Sequence, residues 1–267
     1  LCTFSVGIAA LRSQSPKLFD ESINFCKKGN FSAHIHLQEI REEVTAVRNE
    51  KGLTPIQFCS KKGLFDNPTV AAHCVWIDGD DTRILSEQSV GVAHNPISNM
   101  ILASGICPVA ELRSLGVNVG IGIDGAGSND SQDMLQSIKI TPLLQRVKKL
   151  QATALSSRDT FHMATIEGAK VLGVEKDLGS LEKGKRADFV ILDGDSPVLA
   201  NIHDPFQAVV YCAGKSEVKE VWVDGEIILK DGKVTNVSTD EVVKHSKSQA
   251  IKLVEAAGLS NLSSLIS

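Results

Sequence analysis

Residues 31–39 of the 267-residue chain spell Phe-Ser-Ala-His-Ile-His-Leu-Gln-Glu, in which a predicted β-strand, Phe31–Leu37, leads directly into two polar residues. The run is rich in small and apolar side chains, and a helix-like segment that begins at Arg41 follows it. Apolar strands that alternate with helices favour parallel pairing inside an α/β fold. His36 and Glu39 therefore stand at or just beyond the carboxyl end of a strand that we expect to be buried.

Four more segments have the same character, and helix-like stretches separate them. The other predicted strands are Thr3–Ala9, Thr69–Val75, Ser89–His94 and Val117–Ile123. The predicted helical segments are Pro16–Lys28, Arg41–Gly52, Pro55–Lys62, Asp81–Gln88, Ile106–Leu115, Ser131–Leu150, which Pro142 is expected to break, and Arg158–Leu172. This order predicts an α/β chain with about five β/α units.

Polar side chains stand at the ends of three more of these strands, namely His73, His94 and Asp124. In a (β/α)8 barrel the carboxyl ends of the strands form the active-site face, so polar residues there are typical of catalysis. Such a barrel needs eight strands, and five are predicted. We therefore favour a TIM-type barrel whose first three β/α units lie outside this chain over an open sheet. The lack of an initiator Met fits the same expectation.

The pattern changes after Gly179, where short predicted strands joined by Asp-Gly turns replace the β/α alternation. These strands are Ala187–Leu192, Ala208–Cys212, Val218–Asp224 and Glu226–Lys230. We expect three parts: a partial barrel over residues 1–178, a small β-subdomain over 179–237 and a helical tail over 238–267. Thr239 and Asp240 are the expected caps of the tail helix.

Composition excludes several classes of function. The chain has 42% hydrophobic and 22% charged residues, as in average globular proteins. Its 28 basic and 32 acidic residues give a net charge of −4, which argues against nucleic acid or an anionic membrane as a partner. The sequence contains no run of 18 apolar residues, so we do not expect a membrane span. Six scattered cysteines without a CxxC pair are typical of reduced thiols, so we expect a cytoplasmic protein.

Imidazole and carboxylate groups at neighbouring strand ends are the ligand types of a catalytic Zn²⁺ site that keeps one position for water. Because side chains alternate along a strand, His36 can face the rim of the sheet, and Glu39 falls in the loop above it. A carboxylate there can reach a metal-bound water without binding the metal. The polar residues Ser98, Asn99, Ser128 and Asn129 are interpreted as turn and cap residues.

Taken together, these motifs resemble the amidohydrolase superfamily. They are HIHLQE at 34–39, AAHCV at 71–75, VAHNPISNMILASGI at 92–106 and VGIGIDGAGSND at 119–130. They are most similar to the 5-methylthioadenosine/S-adenosylhomocysteine deaminase-like branch, which also contains s-triazine hydrolases and guanine deaminases. The run LGSLEKGKRAD at 178–188 resembles the point at which that family returns to its composite β-sandwich. The resemblance extends from about Gly7 to Val237.

The resemblance implies that His36 and Asp124 are metal ligands, that Glu39 carries protons and that His73 polarises the reacting position beside the metal. It makes Glu39, His73 and Asp124 catalytic and gives His73 and Glu39 contacts with substrate. His94, which precedes Asn95-Pro96 at the end of its strand, is a further candidate for substrate contact and otherwise shapes the loop. One divalent ion is implied, with Zn²⁺ expected and Fe²⁺ as the alternative, and it would activate a hydroxide. The implied reaction is hydrolytic deamination of an aminated purine, pyrimidine or triazine ring. A small heterocyclic substrate and a homodimer are the implied partners.

Two alternatives remain open. The same site would serve a hydrolase that removes chloride or an alkylamine from an s-triazine, because pocket shape selects the leaving group. The family's first strand also carries an HxH pair of metal ligands, and nothing before His34 supplies one. Because two ligands alone would hold Zn²⁺ poorly, a truncated, non-catalytic barrel is the second alternative.

Overall fold

A computed structural model describes residues 4–259. The chain divides into two compact units, Leu1–Lys185 with Pro197–Lys215, and Arg186–Ser196 with Ser216–Ser267. The first residue of the first predicted strand, Thr3, and the end of the predicted tail, residues 260–267, lie outside the described residues. The division at residues 178 and 237 stays a prediction.

The first unit is built on a five-stranded parallel sheet, in which each strand pairs with the next one in the chain. The strands are β1 (Ser5–Ala10), β2 (Ser32–Leu37), β3 (Thr69–His73), β4 (Gly91–His94) and β5 (Val119–Ile121). Leu37 pairs with His73, and His94 pairs with Ile121. The carboxyl ends of the strands therefore share one edge of the sheet. The predicted α/β class is confirmed.

Helices connect these strands and follow β5. They are α1 (Pro16–Gly29), α2 (Arg41–Lys51), α3 (Pro55–Lys61), α4 (Gly79–Glu87), α5 (Pro96–Ile101), α6 (Val109–Ser114), α7 (Ala126–Asn129), α8 (Met134–Lys149), α9 (Ser157–Met163), α10 (Ile166–Val171) and α11 (Pro205–Gln207). Pro142 lies inside α8 and does not break it, because the face that carries Pro142 is buried and packing supports the helix there. The segment predicted as one helix over Arg158–Leu172 is instead the pair α9 and α10. The hydroxyl of Thr165 bonds back to the carbonyl of Phe161 between them, a local bond that competes with helix continuation.

The core of this unit lies between the sheet and its helices. Ile35 and Leu37 of β2 and Val92 of β4 are completely buried. Every position of β3 is buried, which explains why this strand lacks the alternation of a half-exposed one. None of the helices among residues 4–259 combines the length and the apolar character that a membrane crossing requires.

The run Ala208–Cys212 was predicted to be a strand, and this is wrong. It forms a π-helical turn that continues α11. Its β-branched residues favour a strand, but Asp204 caps the helix by accepting the N–H of Phe206 at 2.8 Å, and Pro205 occupies the first helical position. The local start signal therefore outweighs strand propensity.

The second unit contains an antiparallel sheet of four strands, β6 (Phe189–Leu192), β7 (Val218–Val223), β8 (Glu226–Lys230) and β9 (Lys233–Val234). Phe189 and Trp222 pair across β6 and β7, and their rings stack at 5.5 Å. Helix α12 (Thr239–Ala256) follows the sheet. Its cap is Ser238, one residue before the predicted caps, because the Ser238 hydroxyl accepts the N–H of Glu241 at 3.3 Å.

Candidate metal centre

Three side chains converge at the carboxyl edge of the parallel sheet: His36, His73 and Asp124. Each offers one ligand atom, and these atoms all lie within 4.8 Å of one another. The imidazole rings of His36 and His73 are stacked with centroids 5.4 Å apart. The Nε2 atom of His73 is 3.9 Å from Oδ2 of Asp124. The structure thus brings together residues from the ends of β2, β3 and β5.

Each imidazole is oriented by a hydrogen bond at Nδ1. The Nδ1 atom of His36 is 2.5 Å from the carbonyl oxygen of Ala9, at the end of β1. The Nδ1 atom of His73 is 2.8 Å from Oδ1 of Asn99, which lies in α5. A carbonyl oxygen can only accept, so Nδ1 of His36 carries a proton, and in the neutral ring Nε2 then has the lone pair. This is the arrangement that metal-binding histidines usually have.

Asp124 follows β5, and both of its carboxylate oxygens are bonded. Oδ2 accepts the hydroxyl of Ser98 at 2.6 Å, and Oδ1 accepts the N–H of Gly125 at 2.8 Å. Partial burial alone would raise the pKa of Asp124, but these hydrogen bonds and the neighbouring His73 hold that pKa below its usual range. The carboxylate is therefore ionised near neutral pH, as a metal ligand must be.

The backbone at these strand ends adopts left-handed conformations. The φ angle is 71° at His73, 47° at Cys74 and 61° at Asp124, and Gln38 beyond β2 has a φ angle of 51°. Residues other than glycine adopt such angles at a cost of about 1–3 kcal/mol each, and they do so where the surroundings hold them. At Cys74 the N–H donates to the carbonyl of Leu37 at 3.0 Å. Strain of this kind is concentrated at functional sites.

Glu39 is not one of the three residues within ligand distance. It lies two residues beyond β2, and its side chain is only 9% exposed. Its carboxylate pairs with Arg12, whose Nη2 is 3.1 Å from Oε2, and the Ser104 hydroxyl lies 3.4 Å from Oε1. Nη1 of Arg12 is 3.6 Å from the carboxylate of Glu43, in the first turn of α2.

His94 ends β4 and is completely buried. Within residues 4–259 neither of its ring nitrogens has a hydrogen-bond partner. Burial, with smaller contributions from His73 and Lys148, lowers the pKa of His94 to about 3, so the ring is neutral. Its contact with substrate stays a prediction.

Sequence reasoning missed four residues around this site. Ser98 and Asn99, interpreted as cap residues, hold Asp124 and His73 instead. Their position directly after a polar strand end was the available signal. Arg12 and Glu43 gave no signal, because their contacts join separate parts of the chain.

The donor set fits a divalent cation of the zinc type. Two imidazoles and one carboxylate match a catalytic site with three protein ligands and an open position. The bonded Nδ1 of His36 and the ionised Asp124 give this set the protonation states that such an ion needs. His73, predicted to lie beside the metal, is itself within ligand distance.

Comparison with known proteins points to one family. The model of the amidohydrolase family matches residues 4–228. The chain is 40% identical to the 5'-deoxyadenosine deaminase of Methanopyrus kandleri over an alignment of 256 residues. The alignment covers 96% of this chain and 59% of that protein. It is 42% identical to the 5-methylthioadenosine/S-adenosylhomocysteine deaminase of Desulforudis audaxviator over an alignment of 223 residues. That alignment covers 84% of this chain and 52% of that protein. The chain thus spans about half the length of the curated relatives it matches.

Solved structures share the fold. An adenosine deaminase from Xanthomonas campestris with bound zinc has a TM-score of 0.89 at 28% identity, over 92% of this chain and 56% of that one. The atrazine chlorohydrolase of Arthrobacter aurescens, complexed with zinc, has a TM-score of 0.84 at 24% identity, over 91% and 53%. The second likeness concerns the fold alone. The predicted TIM-barrel type of fold is confirmed, and the chain belongs to the amidohydrolase family.

Proposed function

We propose that this chain serves the hydrolytic deamination of an aminated purine, pyrimidine or triazine ring, with adenosine derivatives as the first candidates. The observation that carries the proposal is the convergence of His36, His73 and Asp124 at the edge where barrel enzymes place their chemistry. The relatives at about 40% identity are named as deaminases of adenosine derivatives, which supports ammonia as the leaving group. The likeness to the atrazine chlorohydrolase supports only the fold.

His36 and Asp124 would hold one divalent ion, and His73 completes the donor set at ligand distance. We propose Zn²⁺, with Fe²⁺ as the alternative, because the donor set fits zinc and the similar adenosine deaminase structure contains bound zinc. When bound, such an ion acts as a Lewis acid and makes water acidic enough to supply hydroxide near neutral pH.

The side chains of the chain itself would then move the protons. Asp124 is ionised and can accept a proton from the attacking water, and Ser98 keeps its Oδ2 atom in place. Glu39 would give a proton to a ring nitrogen and then pass the proton that Asp124 took from the water to the departing amine. The proton lost from the new hydroxyl as the carbonyl forms would return to Glu39, as in general acid and base catalysis. We also propose that Glu39, His73 and His94 contact the substrate.

His73 has two candidate roles, which differ in the position of one proton. With Nδ1 donating to Oδ1 of Asn99, a neutral ring has a lone pair at Nε2 and suits a metal ligand. Donation to the oxygen that develops on the ring carbon, as the family resemblance implies, requires a proton at Nε2. A turned Asn99 amide, which would donate to Nδ1, would place the proton there.

The test is a combined metal and substrate assay of this chain and of any longer natural chain that contains it. Metal content is measured first, and we expect about one divalent ion per chain. Ammonia, chloride and alkylamine are then measured with 5'-deoxyadenosine, 5-methylthioadenosine, S-adenosylhomocysteine and atrazine. Ammonia from an adenosine derivative supports the proposal. Chloride or alkylamine alone would assign the triazine reaction, and no product from a metal-loaded chain would favour the non-catalytic barrel.

We further propose a homodimer in the cytoplasm. Within residues 4–259 the cysteines Cys26, Cys59, Cys74, Cys107 and Cys212 are free thiols, which fits a reducing compartment. Light scattering on the purified chain tests the dimer, and fractionation of the source cells tests the compartment.

A further inference from the structure

Arg12 links two glutamates that lie four residues apart. Its Nη2 is 3.1 Å from Oε2 of Glu39, and its Nη1 is 3.6 Å from Oε2 of Glu43. The two carboxylates therefore bind different nitrogens of one planar guanidinium, a geometry that lysine cannot reproduce. The glutamate side chains are 9% and 0% exposed, whereas the Arg12 side chain is 43% exposed. The guanidinium closes the cluster on its solvent side.

Apart from Arg12, the surroundings of Glu43 do little to stabilise a charged carboxylate. Within residues 4–259 neither carboxylate oxygen has a hydrogen bond of ordinary geometry, although the N–H groups of Gln38 and Glu39 are near enough to favour the charge. Burial outweighs these groups and the Arg12 charge, and it raises the pKa of Glu43. A buried carboxylate that is ionised and incompletely hydrogen-bonded lowers the free energy of unfolding. Arg12 is its ion-pair partner.

Arg12 is held in position by the turn that carries it. Leu11–Ser13 forms one turn of 3-10 helix directly after β1. The Ser13 hydroxyl donates to the carbonyl of Ala10 at 2.9 Å and accepts the N–H of Ala10 at 3.1 Å. The preceding carbonyl, of Ala9, orients His36. The end of β1 thus supports both His36 and Glu39.

We propose that Arg12 is a positioning residue for Glu39 and that Glu43 anchors Arg12. This inference rests on the proposed role of Glu39 as the proton carrier. Without the guanidinium, the two buried carboxylates would repel each other, and Glu39 would be free to turn towards solvent.

The kinetic test uses Arg12→Ala and Glu43→Gln. The matched controls are Arg48→Ala and Glu42→Gln, which remove the same charges from exposed positions of α2. We expect Arg12→Ala to lower kcat about 100-fold, because a misplaced catalytic group costs about that much, with KM and metal content little changed. We expect Glu43→Gln to lower kcat by a smaller factor. Added guanidinium ion should restore part of the activity of Arg12→Ala. It should not raise the activity of the control Arg48→Ala.

A second measurement does not depend on turnover. The ¹³C carboxyl signal of Glu39, identified by its loss in Glu39→Gln, should move in Arg12→Ala towards the position of an exposed glutamate. An unmoved signal, or a kcat of Arg12→Ala within about threefold of the parent, would overturn the inference. A moved signal in a metal-loaded parent that releases no ammonia would refute the proposed function and still support the positioning role.

Discussion

Ser98 and Asp124 lie 26 residues apart in the chain and are joined by a hydrogen bond of 2.6 Å between the hydroxyl and Oδ2. The helix α5, which follows β4, thus reaches the carboxylate that follows β5. The next residue of the same helix, Asn99, bonds His73. Two successive residues of a six-residue helix therefore orient two of the three candidate ligands.

Removal of either bond should weaken metal binding. We expect Ser98→Ala and Asn99→Ala each to lower the affinity for Zn²⁺ by about 10–100-fold, since the groups that orient metal ligands usually have effects of this size. Competition with a chromophoric chelator measures the affinity. Met100→Ala is the control, because the Met100 side chain belongs to the same helix and is 42% exposed. Equal affinities for all three variants would show that α5 does not support the metal.

Loss of a candidate ligand should weaken metal binding more than loss of a group that orients one. We expect His36→Ala to leave the purified chain without a stoichiometric divalent ion, whereas the exposed His203→Ala keeps it. His73→Ala should lose turnover in either of its candidate roles. Its metal content, measured by plasma mass spectrometry, separates them: loss identifies a ligand, and retention identifies a donor to the substrate. A full metal complement in His36→Ala would contradict the proposed site.

Replacement of Glu39 by Gln should stop turnover and spare the metal. General acid–base catalysis contributes about 10²–10⁴-fold to a rate, so we expect Glu39→Gln to lower kcat by at least 100-fold. The metal content should equal that of the parent, because Glu39 lies outside the three-residue cluster. Ammonia release and metal analysis on one preparation check both. Turnover at the parental rate would exclude Glu39 as the proton carrier.

Stability should depend on pH through Glu43. Burial raises its pKa in the folded state above the value of about 4.3 in the unfolded chain. Below pH 4 the carboxyl is mostly protonated in both states and the penalty is small. The penalty grows as pH rises from the unfolded pKa to the folded one and stays constant above it. Glu43→Gln should therefore raise Tm at pH 7.5 and not at pH 4, by roughly 2–4 °C for each kcal/mol relieved.

The control for this experiment is Glu42→Gln, which removes a charge from the exposed neighbouring residue. Its Tm should follow that of the parent at both pH values. Equal gains of Glu43→Gln at pH 4 and pH 7.5, measured by scanning calorimetry, would show that the burial of charge is not the cause.

Gln38 should be important for stability. Its side chain is buried, Nε2 donates to Oδ2 of Asp81 at 2.9 Å, and Oε1 accepts the N–H of Ile56 at 3.0 Å. Gln38→Ala leaves a buried carboxylate and a buried N–H with fewer partners, so we expect a loss of about 3 kcal/mol in the free energy of unfolding. Urea unfolding measures it. The exposed Gln88→Ala should change it by less than about 0.5 kcal/mol.

The sequence predicts the strands of the parallel sheet well, because short apolar runs between helices leave few other arrangements. It fails at Ala208–Cys212, where strand propensity and a helix start signal conflict and the start signal prevails. The candidate ligands could be found because they end strands. Arg12 could not, because its contact with Glu39 spans 27 residues and depends on how separate elements pack.

The left-handed backbone at His73 and Asp124 bears on protein engineering. A designer who grafts only the three ligand side chains onto an ideal β/α scaffold would point His73 and Asp124 in the wrong directions, because regular strand ends lack these bends. The main-chain bends must be transferred as well. Libraries that introduce valine, isoleucine or threonine at these two positions should yield few folded members, since β-branched residues tolerate such angles poorly.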